Sequence, residues 1–102
     1  ITSLITKVYD AADYQLALLT GLDNIEVSQS GELLIAEDGG NMQIVALDHS
    51  YQPHVLVNIY GQDKSEITGP AFSPDGKRLY FSSQRGKTGR SEDGITYEIT
   101  FN

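Results

Sequence analysis

Alternating apolar and polar residues, interrupted by turn residues, predict a chain built from short β-strands. From residue 23 onward, apolar segments are separated by clusters of Gly, Asn, Ser, Asp or Pro, as is typical of antiparallel strands. The first four predicted strands are Asn24–Val27, Leu33–Ala36, Met42–Leu47 and Val55–Tyr60. The pattern then restarts and gives three more, Thr68–Phe72, Arg78–Ser83 and Ile95–Phe101. The predicted fold class is therefore all-β.

The first 22 residues follow the pattern less closely. Residues Ile1–Asp10 alternate loosely and are rich in β-branched side chains, which predicts one further strand. Residues Ala11–Gly21 fit either a short helix that stops at Gly21 or an irregular loop. The loop is the preferred interpretation.

The segment Glu66–Gly86 shows strand pairing most clearly. Two apolar runs flank the turn sequence Ser73–Lys77, in which proline presets one backbone angle and Gly76 accepts the positive φ that closes a hairpin. A weaker copy lies at Asp23–Asp38, where Gly31 takes the place of Gly76. The offset of 45 residues between the two glycines indicates an internal repeat.

A repeat of this length with four short strands per unit is typical of β-propeller blades. We expect residues 1–22 to be the end of a preceding blade plus a connecting loop, residues 23–64 a blade, and residues 65–102 an incomplete last blade. Two blades cannot close a ring, because such arrays need about three or more units. Either the rest of the propeller lies outside this segment, or several copies associate to complete one. A two-sheet sandwich is the alternative fold, but the repeat favours the propeller.

Composition restricts the class of partner. The 14 acidic and 7 basic residues give a formal charge of −7, which argues against a nucleic-acid-binding face and makes cations the expected charged partners. The absence of cysteine excludes disulfides and thiolate chemistry. The longest apolar run, Leu16–Leu19, is too short to span a membrane. The chain begins at Ile1 without a recognisable signal peptide, so it reads as an excised or processed piece.

Five motifs follow one another in order: Gly21–Ile25, Ala36–Asn41, Ser65–Gly76, Tyr80–Gly86 and Gly94–Glu98. Together they resemble the C-terminal part of the PhoX-like family, which contains secreted bacterial alkaline phosphatases and uncharacterised relatives. The resemblance covers most of the chain, from about residue 23 to the end. At Gln84–Gly86 the sequence departs from the motif of the well-studied phosphatases, which places it nearer to the uncharacterised branch.

The resemblance implies a six-bladed propeller exported through the twin-arginine route, and therefore a periplasmic or extracellular protein. It also implies a metal site on the propeller axis, where calcium and iron serve to bind and hydrolyse phosphate esters. Calcium is the cofactor expected here, with iron a further candidate in the full-length parent. Because this chain lacks cysteine, any iron-ligating cysteine would belong to an N-terminal part of the parent. The chain alone is expected to be inactive.

Carboxylates at the ends of inner propeller strands can gather a hard cation such as Ca²⁺, which takes six to eight oxygen ligands. The candidate metal ligands are Asp23, Glu37, Asp38 and Glu66. In the second repeat, Thr68 and Ser82 replace Asp23 and Glu37, so the acids mark a site rather than a structural rule of the repeat. For each acid alone, a turn cap or a solvated loop residue is the alternative. Adjacent strand residues point to opposite faces, so one of Glu37 and Asp38 is expected to be a cap.

Arg85 is the candidate phosphate-binding residue, because a guanidinium group presents a two-pronged set of donors. The alternative is a flexible basic loop, which the nearby glycines favour. His49 and His54 are expected at the surface, since no carboxylate lies beside them at a short metal-ligand spacing. No catalytic-triad or phosphate-loop signature is present, so the catalytic residues stay unassigned.

Two functions remain open on this evidence. In the first, the parent is a metal-dependent phosphoric monoester hydrolase with a calcium-containing axial site. In the second, it is a non-catalytic propeller of the cell envelope that binds a protein or glycan, and the acids are structural. In both cases, open blade edges predict that the chain associates with itself.

Overall fold

The structure, a computed structural model, describes residues 3–18, 20–37 and 42–101. Within these residues the chain forms seven strands: β1 (Leu22–Val27), β2 (Leu33–Glu37), β3 (Gln43–Leu47), β4 (Pro53–Asn58), β5 (Ile67–Phe72), β6 (Arg78–Ser83) and β7 (Ile95–Thr100). Two short 3₁₀ turns, Ala11–Asp13 and Ser91–Asp93, are the only helical segments described. None of the described helices is long and apolar enough to cross a membrane.

The strands form two antiparallel sheets, in the order β1-β2-β3-β4 and β5-β6-β7. In both sheets each strand pairs with the next one along the chain, as in consecutive propeller blades. The all-β class is confirmed, and the seven strands predicted from residue 23 onward agree with the structure to within two residues at each boundary.

The two sheets face each other through equivalent positions of the repeat. The backbone N–H of Gly69 donates to Asn24 Oδ1 at 3.4 Å, and Gln29 Nε2 donates to the Pro74 carbonyl oxygen at 2.9 Å. In both pairs the partners are 45 residues apart. The period read from the sequence is therefore also the period of the structure, and β1 and β5 run in the same direction.

The main core lies between the sheets. Seven of its residues are buried: Leu34, Ala36, Met42 and Ile44 from the first unit, and Ile67, Leu79 and Phe81 from the second. Alternation along β6 explains which of its residues face the core: Leu79, Phe81 and Ser83 are buried, whereas Arg78 and Tyr80 are exposed. The Phe81 and Tyr97 rings stack with their centroids 5.3 Å apart. Both sheets thus depend on one core.

The N-terminal segment covers the other face of the first sheet. Val8, Tyr9 and Leu33 pack there against a second cluster of buried residues, Ile35, Val45 and Leu47. The strand predicted over Ile1–Asp10 is wrong for the described residues 3–10, which form no strand. They contribute side chains to a sheet face and have no strand beside them with which to form a ladder.

The described part of Ala11–Gly21 is irregular apart from its 3₁₀ turn, as the loop interpretation predicts. Asp10 caps the turn, since its Oδ1 accepts a hydrogen bond from the Ala12 N–H at 2.9 Å. Lys7 lies 3.2 Å from the Asp10 carboxylate and 3.7 Å from that of Asp13. These exposed contacts link Lys7 to the 3₁₀ turn.

Candidate functional site at the upper end of the sheets

The described candidate residues share one end of the two sheets, the upper end, where β1 and β5 begin and β2 and β6 finish. Asp23 is the second residue of β1 and is exposed, while Glu37 is the last residue of β2. Glu66 directly precedes β5, and Arg85 follows β6. Asp38 lies outside the described residues.

Glu66 and Arg85 are brought together. Arg85 Nη2 lies 3.7 Å from Glu66 Oε1, and Arg85 Nη1 donates to the Lys64 carbonyl oxygen at 3.5 Å. The Arg85 side chain is 39% exposed, so solvent reaches the pair. A partly solvated ion pair contributes only about 0–1 kcal/mol. The guanidinium is therefore accessible to an anion from solvent, while the Glu66 carboxylate, 17% exposed, is the more buried partner of the pair.

The loop that carries Arg85 is closely packed, unlike the flexible loop considered as the alternative. Gly86 is buried with φ at +57°, and a Cβ at this position would overlap the Asp93 carbonyl oxygen. Further along, Arg90 Nε lies 3.1 Å from both Glu92 and Asp93 carboxylates. The glycines that suggested flexibility instead allow close backbone approach.

Glu37 is 1% exposed and accepts a hydrogen bond from Gln43 Nε2. Gln43 Nε2 also donates to the Leu18 carbonyl oxygen at 3.1 Å, which links the end of β2 to the loop before β1. By alternation with Ile35, Glu37 faces the side of the first sheet turned away from the second sheet. Its carboxylate therefore lies on a different face from the Glu66–Arg85 pair.

Every buried polar residue among those described lies at the upper end: Glu37, Gln43, Gln62, Ser65 and Ser83. Of these five residues only Glu37 was predicted from the sequence, because single Gln and Ser residues carry no spacing signal. Burying a polar group costs free energy unless it finds a partner. The buried side chains in the middle of the sheets are apolar, and the buried polar side chains, which cost free energy, are all at one end.

Gln62, in the segment before β5, is 3% exposed. Its Nε2 donates to the Tyr97 hydroxyl at 2.9 Å, but its Oε1 has no hydrogen-bond partner and is the one such buried side-chain atom in the described residues. An unsatisfied buried acceptor costs about 1–3 kcal/mol. A donor or a cation supplied from outside the chain would remove that cost.

The upper end offers oxygen ligands only, which suit a hard cation such as Ca²⁺. These are the carboxylates of Asp23, Glu37 and Glu66 and the amide oxygen of Gln62. The chain has no cysteine, and both histidines lie at the opposite end. Within residues 3–18, 20–37 and 42–101, no three His, Cys, Asp or Glu residues form a group that could hold a metal. A cation here would need further ligands.

His49 and His54 are exposed and lie in or beside the turn between β3 and β4. His54 Nε2 is 2.9 Å from Asp48 Oδ2, so a carboxylate does lie beside this histidine, which sequence spacing had not indicated. The pKa of Asp48 is lowered, first by the backbone N–H of Gln52 and then by His54. The pair stabilises a turn at the end of the sheets remote from the candidate residues.

A family model described as Alkaline phosphatase PhoX matches residues 6–86 of this chain, which is most of its length. The matched region contains strands β1 to β6 and all five candidate residues, Asp23, Glu37, Asp38, Glu66 and Arg85. Searches of curated proteins and of solved structures gave no match.

Proposed function

The chain belongs to the PhoX alkaline phosphatase family, and on that premise we propose that it forms two blades of a six-bladed propeller whose parent hydrolyses phosphate esters. The observation that carries the proposal is the gathering of all described candidate residues at the upper end, together with every buried polar residue described there. The family is metal-dependent and typically exported. We accordingly assign the parent to the periplasm or the extracellular space.

Calcium is the proposed cofactor, with Asp23, Asp38 and Glu66 as proposed ligands. Glu37, also proposed as a ligand, would serve only a cation bound at the outer face of the first sheet, because its carboxylate points to that face. The amide oxygen of Gln62, which lacks a donor, joins them as a candidate. When bound, the metal would supply positive charge that polarises a phosphoryl oxygen. Iron is proposed only for other parts of the parent. Since two sheets supply only part of such a site, the chain alone is proposed to be inactive.

Arg85 is proposed to bind the substrate phosphate. Its side-chain contacts within the chain, at 3.5 and 3.7 Å, are long for charge-assisted hydrogen bonds. A phosphate ester offers the guanidinium group a bidentate partner, and a cation at Glu66 would remove the competing carboxylate. Glu66 and Arg85 would thus act together, one holding the cation and the other orienting the phosphate oxygens.

Hydrolysis of p-nitrophenyl phosphate by the full-length parent, with calcium or with a chelator, tests this proposal. We expect Glu66→Gln and Arg85→Gln each to lower kcat/KM by on the order of 10²-fold, the effect of removing one group that stabilises transition-state charge. Arg85→Lys should retain part of the activity. Glu92→Gln, which changes an acid whose side chain is 65% exposed, is the matched control and should leave activity unchanged.

The alternative is a non-catalytic propeller of the cell envelope that binds a protein or glycan. One observation favours it: Glu37 and Glu66 already have partners within the chain, Gln43 and Arg85, as structural acids do. The alternative would replace the phosphatase proposal if the parent shows no calcium-dependent turnover and Glu66→Gln changes neither its calcium content nor its melting temperature.

We also propose that the chain associates with itself through its open strand edges. Each sheet is a simple meander, so its first and last strands have one neighbour each among the described residues. Unpaired N–H and C=O groups along such edges template pairing with another chain.

A further inference from the structure

We propose that Asp93 and Gly89 are positioning residues for Arg85. Both lie in the β6–β7 loop, which comprises residues 84–94. Asp93 holds this loop in a shape that packs Gly89 against Lys64, the residue whose carbonyl oxygen accepts a hydrogen bond from the Arg85 guanidinium group. The inference rests on the proposed phosphate-binding role of Arg85 and deepens it by naming the residues that orient the guanidinium group.

The Asp93 carboxylate links the residues on both sides of Gly89. Its Oδ2 accepts hydrogen bonds from Thr88 Oγ1 and from Arg90 Nε, the second at 3.1 Å. The Arg90 N–H in turn donates to Thr88 Oγ1 at 3.2 Å. The Asp93 side chain is 34% exposed, whereas that of Glu92, the other acid beside Arg90, is 65% exposed. One partly buried carboxylate therefore holds the chain immediately before and after Gly89.

The β6–β7 loop is closed on itself. A Cβ at Gly86 would overlap the Asp93 carbonyl oxygen, so only glycine allows the chain to approach itself this closely. The Gly89 N–H donates to the Arg85 carbonyl oxygen at 3.2 Å, and the Asp93 N–H donates to the Arg90 carbonyl oxygen at 3.0 Å. These contacts restrict the loop, so a displacement at Asp93 is transmitted to Gly89.

Gly89 packs against the segment that precedes β5. A Cβ built on Gly89 would lie 2.8 Å from Lys64 Cβ, well inside the ~3.5–4.0 Å at which two carbon atoms pack. Because Lys64 Cβ is bonded directly to the backbone, a side chain at position 89 would have to displace the backbone of one of the two segments. The absence of a side chain at Gly89 therefore sets the position of Lys64 relative to the loop.

Lys64 connects this contact to the guanidinium group. Its carbonyl oxygen accepts a hydrogen bond from Arg85 Nη1 at 3.5 Å, and Glu66 Oε1, two residues later, lies 3.7 Å from Arg85 Nη2. Both groups belong to the segment against which Gly89 packs. A shift of that segment would turn the guanidinium group, and bidentate binding of a phosphate depends on how that group is oriented.

The charges in the β6–β7 loop agree with a positioning role. Arg90 Nε lies 3.1 Å from carboxylate oxygens of both Glu92 and Asp93, so its charge is balanced within the loop. Arg85 has a single carboxylate, that of Glu66, at 3.7 Å. Of the two arginines, Arg85 is therefore the one that can accept an anion, and Arg90 maintains the shape of the loop.

Alanine substitutions at two glycines test the contact with Lys64. Gly89→Ala in the full-length parent should raise the dissociation constant for inorganic phosphate, measured by isothermal titration calorimetry, by roughly tenfold, since a misplacement of about 1 Å can cost up to about 10²-fold. Gly61→Ala is the matched control and should change the constant by less than about twofold. Gly61 has a similar φ, +79° against +82°, but a Cβ there would meet no atom within 4 Å. Backbone strain is therefore alike in the two variants, and equal effects would overturn the inference.

Alanine substitutions at two acids test the role of Asp93. Asp93→Ala should weaken phosphate binding by roughly threefold or more, and Asp93→Asn, which keeps an oxygen that can accept from Thr88, should restore part of the loss. Glu92→Ala removes the other acid beside Arg90 and should leave the affinity unchanged. Equal losses in Asp93→Ala and Glu92→Ala would assign the effect to the charge balance of Arg90 and contradict the proposed role of Asp93.

A double-mutant cycle separates positioning from a general loss of structure. In the Arg85→Gln parent, Gly89→Ala should change the phosphate affinity by less than about twofold, because it acts only through the guanidinium group. A loss as large as in the wild-type background would refute this inference. If Arg85→Gln itself leaves the phosphate affinity unchanged, the proposed function fails at Arg85 and this inference fails with it. If Arg85→Gln weakens binding but Gly89→Ala does not, only this inference fails.

Discussion

Asp75 illustrates how a single side chain holds a turn in place. Its Oδ1 accepts hydrogen bonds from the backbone N–H of Lys77 at 3.0 Å and from Ser73 Oγ at 2.7 Å. These bonds favour the charged carboxylate, the bond to the Lys77 N–H most strongly, and hold the pKa of Asp75 below its usual value. The stability of the hairpin turn between β5 and β6 therefore depends on pH through the charge of Asp75.

Asp75→Asn should therefore show a pH-dependent loss of stability. A folded pKa below the unfolded value means that the charge stabilises the fold above about pH 3.9 and that this contribution disappears as pH falls through the folded pKa. We expect the wild type to be more stable than the variant at neutral pH in urea denaturation, with the difference closing in acid. Asp75→Ser, which introduces the residue of the first repeat at position 30, should behave like Asn. A difference that stays constant down to about pH 2 would contradict this prediction.

Single residues of the candidate site could be predicted from the sequence only in part. Glu37 and Glu66 were identified because they lie at predicted strand ends. The burial of Glu37 and its bond to Gln43 could not be predicted, since they depend on how β2 and β3 pair and on the loop that covers them. Gln62, Ser65 and Ser83 were missed because their burial arises from tertiary packing alone.

At the scale of elements, a pair of serines joins the start of β5 to the end of β6. Ser65 Oγ lies 2.8 Å from Ser83 Oγ and accepts the backbone N–H of Arg85 at 2.8 Å. Both serines are almost fully buried. The Ser65 hydroxyl therefore helps to position the loops that carry Glu66 and Arg85, beside the backbone bond from the Gln84 N–H to the Glu66 carbonyl oxygen at 3.0 Å.

Ser65→Ala should cost more stability than Ser83→Ala. Loss of the Ser65 hydroxyl leaves the partly buried N–H of Arg85 and the buried Ser83 hydroxyl without this partner, which costs about 1–3 kcal/mol, whereas Ser83→Ala removes one bond worth about 0.5–1.5 kcal/mol. Urea denaturation measures both, and hydrogen exchange at the Arg85 amide should rise only in the first variant. An equal or larger cost for Ser83→Ala would show that the hydroxyl of Ser65 does not organise the loops.

The strands were predictable where turn chemistry bounds them. Gly31 and Gly76 adopt the positive φ that the two hairpins require, +93° and +72°, so the strands on either side were placed correctly. The N-terminal segment shows the limit of the same reasoning. Its pattern identified residues able to form a strand, but a strand also needs a neighbour, and the pattern cannot supply one.

At the scale of the whole molecule, the shared core predicts that the two sheets unfold together. Ile67→Val removes one methyl group from a fully buried position on β5 and should cost about 0.5–1.5 kcal/mol. Hydrogen exchange should report the same loss of protection in β3 as in β6. Ile25→Val, at a position 60% exposed, should change stability by less than about 0.5 kcal/mol. Loss of protection confined to the second sheet would show that the sheets unfold separately.

The strands of the two sheets could be predicted because turn residues, which act locally, mark where each strand ends. The sequence could not predict which surface covers the outer face of the first sheet, since Val8 and Tyr9 reach it only through the path of the loop before β1. It also could not show that the upper end collects the buried polar groups. That arrangement follows from where the sheets stop and the loops pack.

Among the described residues, the side-chain hydrogen bonds that join the strands and hairpin turns of the two units all start from the first unit. Asn24, Glu26 and Gln29 bond from their side chains to the backbone of Gly69, Phe72 and Pro74 in the second unit. The residues of the second unit that correspond to these three are Gly69, Ala71 and Pro74. None of them has a polar side chain that could form the same hydrogen bond to a further unit. The second sheet therefore cannot form this set of side-chain to backbone hydrogen bonds with a further unit. Any surface that packs on its far face must bind through other groups, such as Arg78, Tyr80 and Glu98.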